Sequence, residues 1–228
     1  MMDLVTVRRL ALWLALLAAL TPVAAFAQAP VPVYGDGPIP ETGFTSWSLF
    51  LMCNPEWLLK KQEQALQSVF EAYLAFAMAT GPRHAAVWLI KPRRAGKSPL
   101  WGNPENLDID RSVYFCQKIR LVPSEGPHVV VMTTHPDRWT PENPTEGSKG
   151  DPFVVLALGG SEPNDAIRLL RKLNDQVVME RLSRRDLNSV QYWQSWVRVF
   201  ETGCRLFDKV KFTVKASVVS IEKTGVCN

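Results

Sequence analysis

The sequence predicts an α/β domain, and three observations carry the prediction. Four short apolar runs of strand length (45–53, 84–90, 128–133 and 153–158) are each bounded by turn residues. Between and after them lie segments whose apolar residues recur at helical spacing and whose ends carry capping residues. The resulting order is β-α-β-α-β-β-α, followed by a further helix and strand at the C-terminus. Strands that alternate with helices pack as a sheet with helices against its faces.

Each element has its own signal. Thr45 to Cys53 has the apolar density of a strand buried on both faces. Asn54 is a good N-cap and Pro55 fits the first helical position, where a missing N–H costs nothing. One helix is therefore expected from there to Gly81-Pro82, with Leu59, Leu66, Phe70, Tyr73 and Ala77 as its apolar stripe. His84 to Ile90 is the second strand. Asp108 to Arg120 reads as the second helix, with Ile109, Val113 and Cys116 facing inward. Gly126-Pro127 introduces the third strand, His128 to Thr133, and Phe153 to Leu158 is the fourth. The Pro- and Gly-rich stretch 134–152 between them reads as a long surface loop. Ser161 or Asn164 caps a third helix with Ala166, Leu170, Leu173 and Val177 inward. In the tail, Trp193, Trp196, Val197, Phe200, Cys204 and Phe207 form a helical stripe, and the alternation of Phe212, Val214, Ala216 and Val218 with polar residues marks a half-buried strand.

The N-terminus carries an address. Arg8 and Arg9 precede the uncharged run Leu10 to Leu20, Pro22 breaks it, and Ala25-Phe26-Ala27 offers small residues at a signal-peptidase site. Residues 1–27 read as a cleavable secretory signal, so the working protein is expected in the periplasm or secreted. A spanning helix needs about 20 apolar residues, and none is expected after cleavage. The organisation is then signal 1–27, a Pro/Gly-rich linker 28–43, a domain over 44–182 and an α-β extension over 183–228. Losing Asp3, Arg8 and Arg9 lowers the formal net charge from +4 to +3. So mild a balance gives no reason to expect nucleic acid as a partner.

The element order is similar to that of the thioredoxin-like fold, and Gly126-Pro127-His128-Val129 adds a second likeness. In that family a Pro, usually cis, stands immediately before the third core strand beside the redox site, the position Pro127 takes here. The resemblance covers about residues 45–180, and order with one Pro is an argument for fold rather than for activity. Thioredoxin-like oxidoreductases carry C-x-x-C between the first strand and its helix. This chain reads Cys53-Asn54-Pro55-Glu56, with Glu56 where the resolving thiol would stand. Dithiol exchange needs that second thiol, so what the resemblance implies is a domain without dithiol redox activity.

Four cysteines survive cleavage: Cys53, Cys116, Cys204 and Cys227. In an exported chain an even number favours two disulfides, although four cysteines permit three pairings. Cys53 has two readings. It is half of a structural disulfide, with Cys116 as its partner, or it is a single reactive thiol lowered in pKa by the following helix N-terminus. In the second reading Cys116 is a distant resolving thiol, and Pro127 and His128 line the site. Cys204 with Cys227 would pin the C-terminus to the last helix. No spacing of Cys and His suggests a metal and no cofactor is called for. Arg93-Arg94-Ala95-Gly96-Lys97-Ser98 ends like a phosphate-binding loop, but Lys91 stands where that motif begins with Gly, so it reads as a solvated basic loop. Trp193 and Trp196 read as core. Trp101 and Trp139 lie in Pro/Gly-rich loops, where an aromatic is either an interface anchor or packs back on its own domain. The expectation is an exported, disulfide-stabilised module that binds or assembles with another envelope or secreted protein. The alternative is a single-cysteine thiol–disulfide or peroxide-handling enzyme with Cys53 as nucleophile.

Overall fold

The structure, a computed structural model, describes residues 31–35, 37–59, 63–92, 103–121, 127–141, 151–158, 163–180, 182, 189–204, 211–216 and 221–226. The strands are β1 (Val31–Tyr34), β2 (Ser46–Met52), β3 (His84–Ile90), β4 (Pro127–Met132), β5 (Phe153–Ala157), β6 (Lys211–Ala216) and β7 (Ile221–Val226). The helices are α1 (Pro55–Leu59), α2 (Glu63–Thr80), α3 (Ile109–Lys118), α4 (Pro163–Glu180) and α5 (Ser189–Cys204), with a 3₁₀ turn at Pro104–Asn106.

All seven strands join one sheet in the order β1-β3-β2-β4-β5-β6-β7. Its centre is the mixed four-strand unit that the sequence predicts. β2 runs parallel to β3 (Phe50 opposite Trp88) and antiparallel to β4 (Phe50 opposite Val129), and β5 runs antiparallel to β4. A parallel pair needs a crossover connection, and α2 supplies it. This connectivity is compatible with the thioredoxin-like fold.

Strand alternation assigns the two layers. Phe50, Met52, Trp88, Ile90, Val129, Val131, Val154 and Leu156 share a core with α2, α4 and α5. Trp47, Leu49, Leu51, Cys53, Val87, Leu89, Val130, Met132 and Val155 belong to a second core, under α3. Trp88 anchors the first layer, stacked on Phe50 at 4.6 Å and edge-on to Phe70 at 5.2 Å. The predicted stripes of α2 (Leu66, Phe70, Tyr73, Ala77) and α4 (Ala166, Leu170, Leu173, Val177) are buried, as are Trp193, Trp196, Val197 and Phe200 of α5.

The punctuation works as the residue chemistry requires. Asn54 Oδ1 accepts from the Glu56 amide at 3.0 Å, and Gly81 ends α2 at φ 92°, a left-handed conformation that suits glycine. Asp108 caps α3 by accepting from the Arg111 amide at 3.0 Å.

The helix expected from Asn54 to Gly81-Pro82 coincides with α1 and α2, residues 60–62 lying outside the described residues. Other elements differ from the sequence reading. On α3 the buried face is Ser112, Phe115 and Cys116, while Val113 and Ile109 are half-buried. Asn164 lies inside α4, exposed, rather than at its cap. The C-terminal extension holds two strands, a β6–β7 antiparallel pair, and β6 prolongs the main sheet beside β5.

The largest difference is in 28–43, expected as a linker. Val31–Tyr34 forms β1 beside β3, at the edge of the sheet, where Pro32 is tolerated although it has no N–H for a ladder. The chain after it is a strap fastened by side-chain donors. Arg111 Nη1 donates to the carbonyls of Gly35 (2.8 Å) and Gly37 (2.7 Å), Trp47 Nε1 donates to Pro40 O (2.8 Å), and Ile39 O lies 2.9 Å from His135 Nε2. A Cβ at Gly35 would sit 2.5 Å from Pro92 Cδ, so the close approach requires glycine there.

Trp139 is no surface anchor. Only 4% of it is exposed, its ring meets Phe153 edge-on at 5.2 Å, and its Nε1 donates to Asp151 O at 3.2 Å. The loop around it is closed by Asp151, whose carboxylate accepts from Thr134 Oγ1, Thr140 N and Thr140 Oγ1 at 2.8–2.9 Å. A loop so pinned brings its aromatic down onto the second core. Trp101 and the basic loop lie outside the described residues. Because Trp139 fills core volume, Trp139→Ala is expected to lower stability by about 3–5 kcal/mol, read as a reduced denaturation midpoint in urea.

Candidate functional site

The end of β2 carries the chemistry that the sequence singles out. Met52 pairs with Pro127 across the β2–β4 ladder, so the chain turns into Cys53 and the cap of α1 directly beside Pro127. Pro127 is also fixed on its other side, its carbonyl accepting from Leu158 N at 2.8 Å. The peptide bond before Pro127 involves Gly126, outside the described residues.

Cys53 is bonded to Cys116 of α3, with the two Cα atoms 5.6 Å apart and a sequence separation of 63. Both cysteines are buried, 3% and 2% exposed, among Leu51, Phe115, Ile119 and Val130. The pairing named first in the sequence reading is therefore the one present. Two consequences follow. A sulfur in a disulfide has no thiolate to stabilise, so the helix-terminus argument for a lowered pKa does not operate in this form. Exchange also requires an attacking thiolate to reach one sulfur in line, and the surrounding side chains are apolar and close-packed. Glu56, at the resolving-thiol position, is exposed in the first turn of α1.

His128 is opposite Leu51 in β2 and Ala157 in β5, on the same face as Val130 and Met132, and is 1% exposed. It therefore belongs to the disulfide's side of the sheet, inside the protein rather than on the rim of a cleft. The structure brings together Cys53, Cys116, Pro127 and His128. Cys227 lies outside the described residues, and nothing is described of the Cys204 side chain, so that pairing is not placed. Among the described residues no group of three or more His, Cys, Asp or Glu could hold a metal ion.

A second polar cluster, at the opposite end of β2, escaped the sequence reading. Ser46 and His84 begin β2 and β3 and pair across the ladder, and Ser46 Oγ lies 2.9 Å from His84 Nδ1. Trp196 of α5 covers the imidazole at 5.9 Å between ring centroids, and Tyr192 meets Trp196 edge-on. Burial pushes His84 down to about 3 and the Tyr192 phenol up to about 12. The only sequence signal was a histidine heading an otherwise apolar strand. Nearby, Tyr73 reaches from α2 to Ser48, with Oη 2.9 Å from Ser48 Oγ and 3.1 Å from its carbonyl, which holds the phenol's pKa upward by burial despite those bonds.

His84 also links stability to pH. Its native pKa lies below the unfolded value of 6.5, so the unfolded chain takes up the proton first. This contribution is fully present above pH 6.5 and is lost progressively as the pH falls toward 3.

No protein-family model matches the chain, and neither a curated protein nor a solved structure matches it.

The Cys53–Cys116 bond closes a long loop, so its chain-entropy contribution is about 4 kcal/mol. Cys53→Ala with Cys116→Ala is expected to lower the unfolding free energy by that order, measured in urea against the oxidised wild type. Reduction of the wild type by millimolar dithiothreitol is expected to be slow in buffer and fast once urea opens the domain.

Proposed function

We propose that the chain is an exported member of the thioredoxin-like superfamily without dithiol exchange, in which Cys53–Cys116 is a staple and the domain serves binding or assembly in the cell envelope. The observation that carries this reading is the position of the bond. Where a thioredoxin-like oxidoreductase presents its attacking thiol, this chain has half of a buried cross-link to α3, with Glu56 in place of the second thiol. A buried disulfide is what a small exported domain uses to resist unfolding, and it agrees with the signal read in residues 1–27. Among the described residues no helix is long and apolar enough to cross a membrane. Another envelope or secreted protein is the class of partner such a module would have.

One observation favours a second reading. A nucleophilic Cys53 and a resolving Cys116 would leave the same bond. In that chemistry the Cys53 thiolate takes one oxygen of a peroxide to give the sulfenic acid and the alcohol or water. The Cys116 thiol then condenses with it, releasing water and forming the disulfide.

The two readings part on reduced protein. Intact mass of the exported protein is expected to lack residues 1–27 and to show Cys53 and Cys116 without titratable thiols. After reduction in denaturant and refolding without oxidant, the staple reading expects Cys53 to react with hydrogen peroxide no faster than a free cysteine. A reaction a hundredfold faster, followed by closure onto Cys116, would establish the enzyme instead.

A further inference from the structure

We propose that His84 is an acid-operated latch for α5: the neutral imidazole lets α5 dock over the start of β2 and β3, and the imidazolium releases that helix while the central strands stay paired. The inference is independent of the function proposed above.

The geometry sets the neutral form. His84 is 5% exposed, its Nδ1 is satisfied by Ser46 Oγ, and its Nε2 has no hydrogen-bond partner. The elements around it offer no counter-ion among the described residues. β2 contributes the Ser46 hydroxyl. α5 contributes the Trp196 ring and the Tyr192 phenol, which burial keeps neutral and whose oxygen lies near Ser46 and Trp196 without a well-formed hydrogen bond. α2 contributes Phe76, packed on Trp196, and Thr80, whose hydroxyl donates to Ala77 O at 2.7 Å. The turn before β3 carries Arg83, a like charge next in sequence. Glu180, at the end of α4, is bonded to Arg198 on the outer side of α5 at 3.1 Å. Desolvation by burial lowers the imidazole's proton affinity. Contact with the Trp196 face would return a cation–π attraction, a smaller quantity than the desolvation of an unpaired charge.

The same geometry says which element gives way. His84 begins β3, which is laddered to β2 from Ser46 opposite His84 onward and is buried at all seven residues, so wetting His84 from the strand side would break the β2–β3 ladder. From the helix side it requires only that Tyr192 and Trp196 lift away. α5 also leads into the β6–β7 pair, so its release loosens the C-terminal part of the sheet next.

Hydrogen exchange on the full chain tests the latch. With an ordinary imidazole pKa of 6.5 in the open form, the opening constant of α5 amides, corrected for intrinsic exchange, should rise about 30-fold between pH 7.5 and pH 5. The β2 and β4 amides should stay protected, and His84→Gln should make α5 insensitive to pH. An α5 opening constant that does not change with pH, an equal change in H84Q, or opening of β2 and β4 in step with α5 would overturn the proposal. Should H84Q not fold, the imidazole ¹⁵N shifts of wild type decide. A ring neutral at pH 5 in the closed form supports the latch, and a charged one refutes it.

Discussion

Strand β2 is the constraint on which the rest depends. Among the described strands it is the only central one with a parallel neighbour on one edge and an antiparallel one on the other, and all seven of its residues are buried. A strand wetted on neither face has to satisfy every backbone group through its ladders and every side chain through packing. Its parity then dictates the architecture. Trp47, Leu49, Leu51 and Cys53 demand a cover on one side, which α3 and the strap provide. Phe50 and Met52 demand one on the other, which α2, α4 and α5 provide. Ser46 and Ser48 are the polar exceptions, and His84 and Tyr73 answer them.

The two ends of that strand solve the same problem by different chemistry. At the C-terminal end the chain must leave the sheet and α3 must stay on it, and a covalent bond between Cys53 and Cys116 does both. It acts on the unfolded chain, by removing loop entropy, and asks nothing of pH. At the N-terminal end the closure is a polar contact, Ser46 with His84, capped by aromatic rings of α5. That closure acts only in the folded state and depends on one proton. The molecule therefore has a redox-dependent end and a pH-dependent end, joined by a strand of seven residues.

What was legible in the sequence follows from this division. The four central strands were readable because strands buried on both faces appear as predominantly apolar runs, and α2 and α4 because their stripes face a single layer. Cys53, just past β2, was legible as a disulfide half, since an even number of cysteines behind an expected export signal favours pairing. The strap was not readable. Its carbonyls are held by Arg111, Trp47 and His135, residues far off in sequence, so it has no periodicity of its own. Trp139 was ambiguous for a related reason. A Pro- and Gly-rich loop reads as solvent-facing until something ties it down, and the tie here is Asp151, a single carboxylate beyond the loop's tip. His84 was seen as a strand residue because its partner Ser46 is 38 positions away and Trp196 lies on an element of a different segment.

Buried polarity is retained at the start of β2 although an apolar pair would serve the packing. A Ser–His pair under two aromatic rings costs desolvation that one hydrogen bond only partly offsets. Register is one return: shifting β2 by a single residue against β3 would separate Ser46 from His84 and leave both unpaired in the core, while also turning Cys53 away from α3. Polar groups at one end and a cysteine at the other thus specify the same alignment from opposite directions. Apart from Ser48, the residues between them are apolar and interchangeable in hydrophobicity, and could not specify it alone.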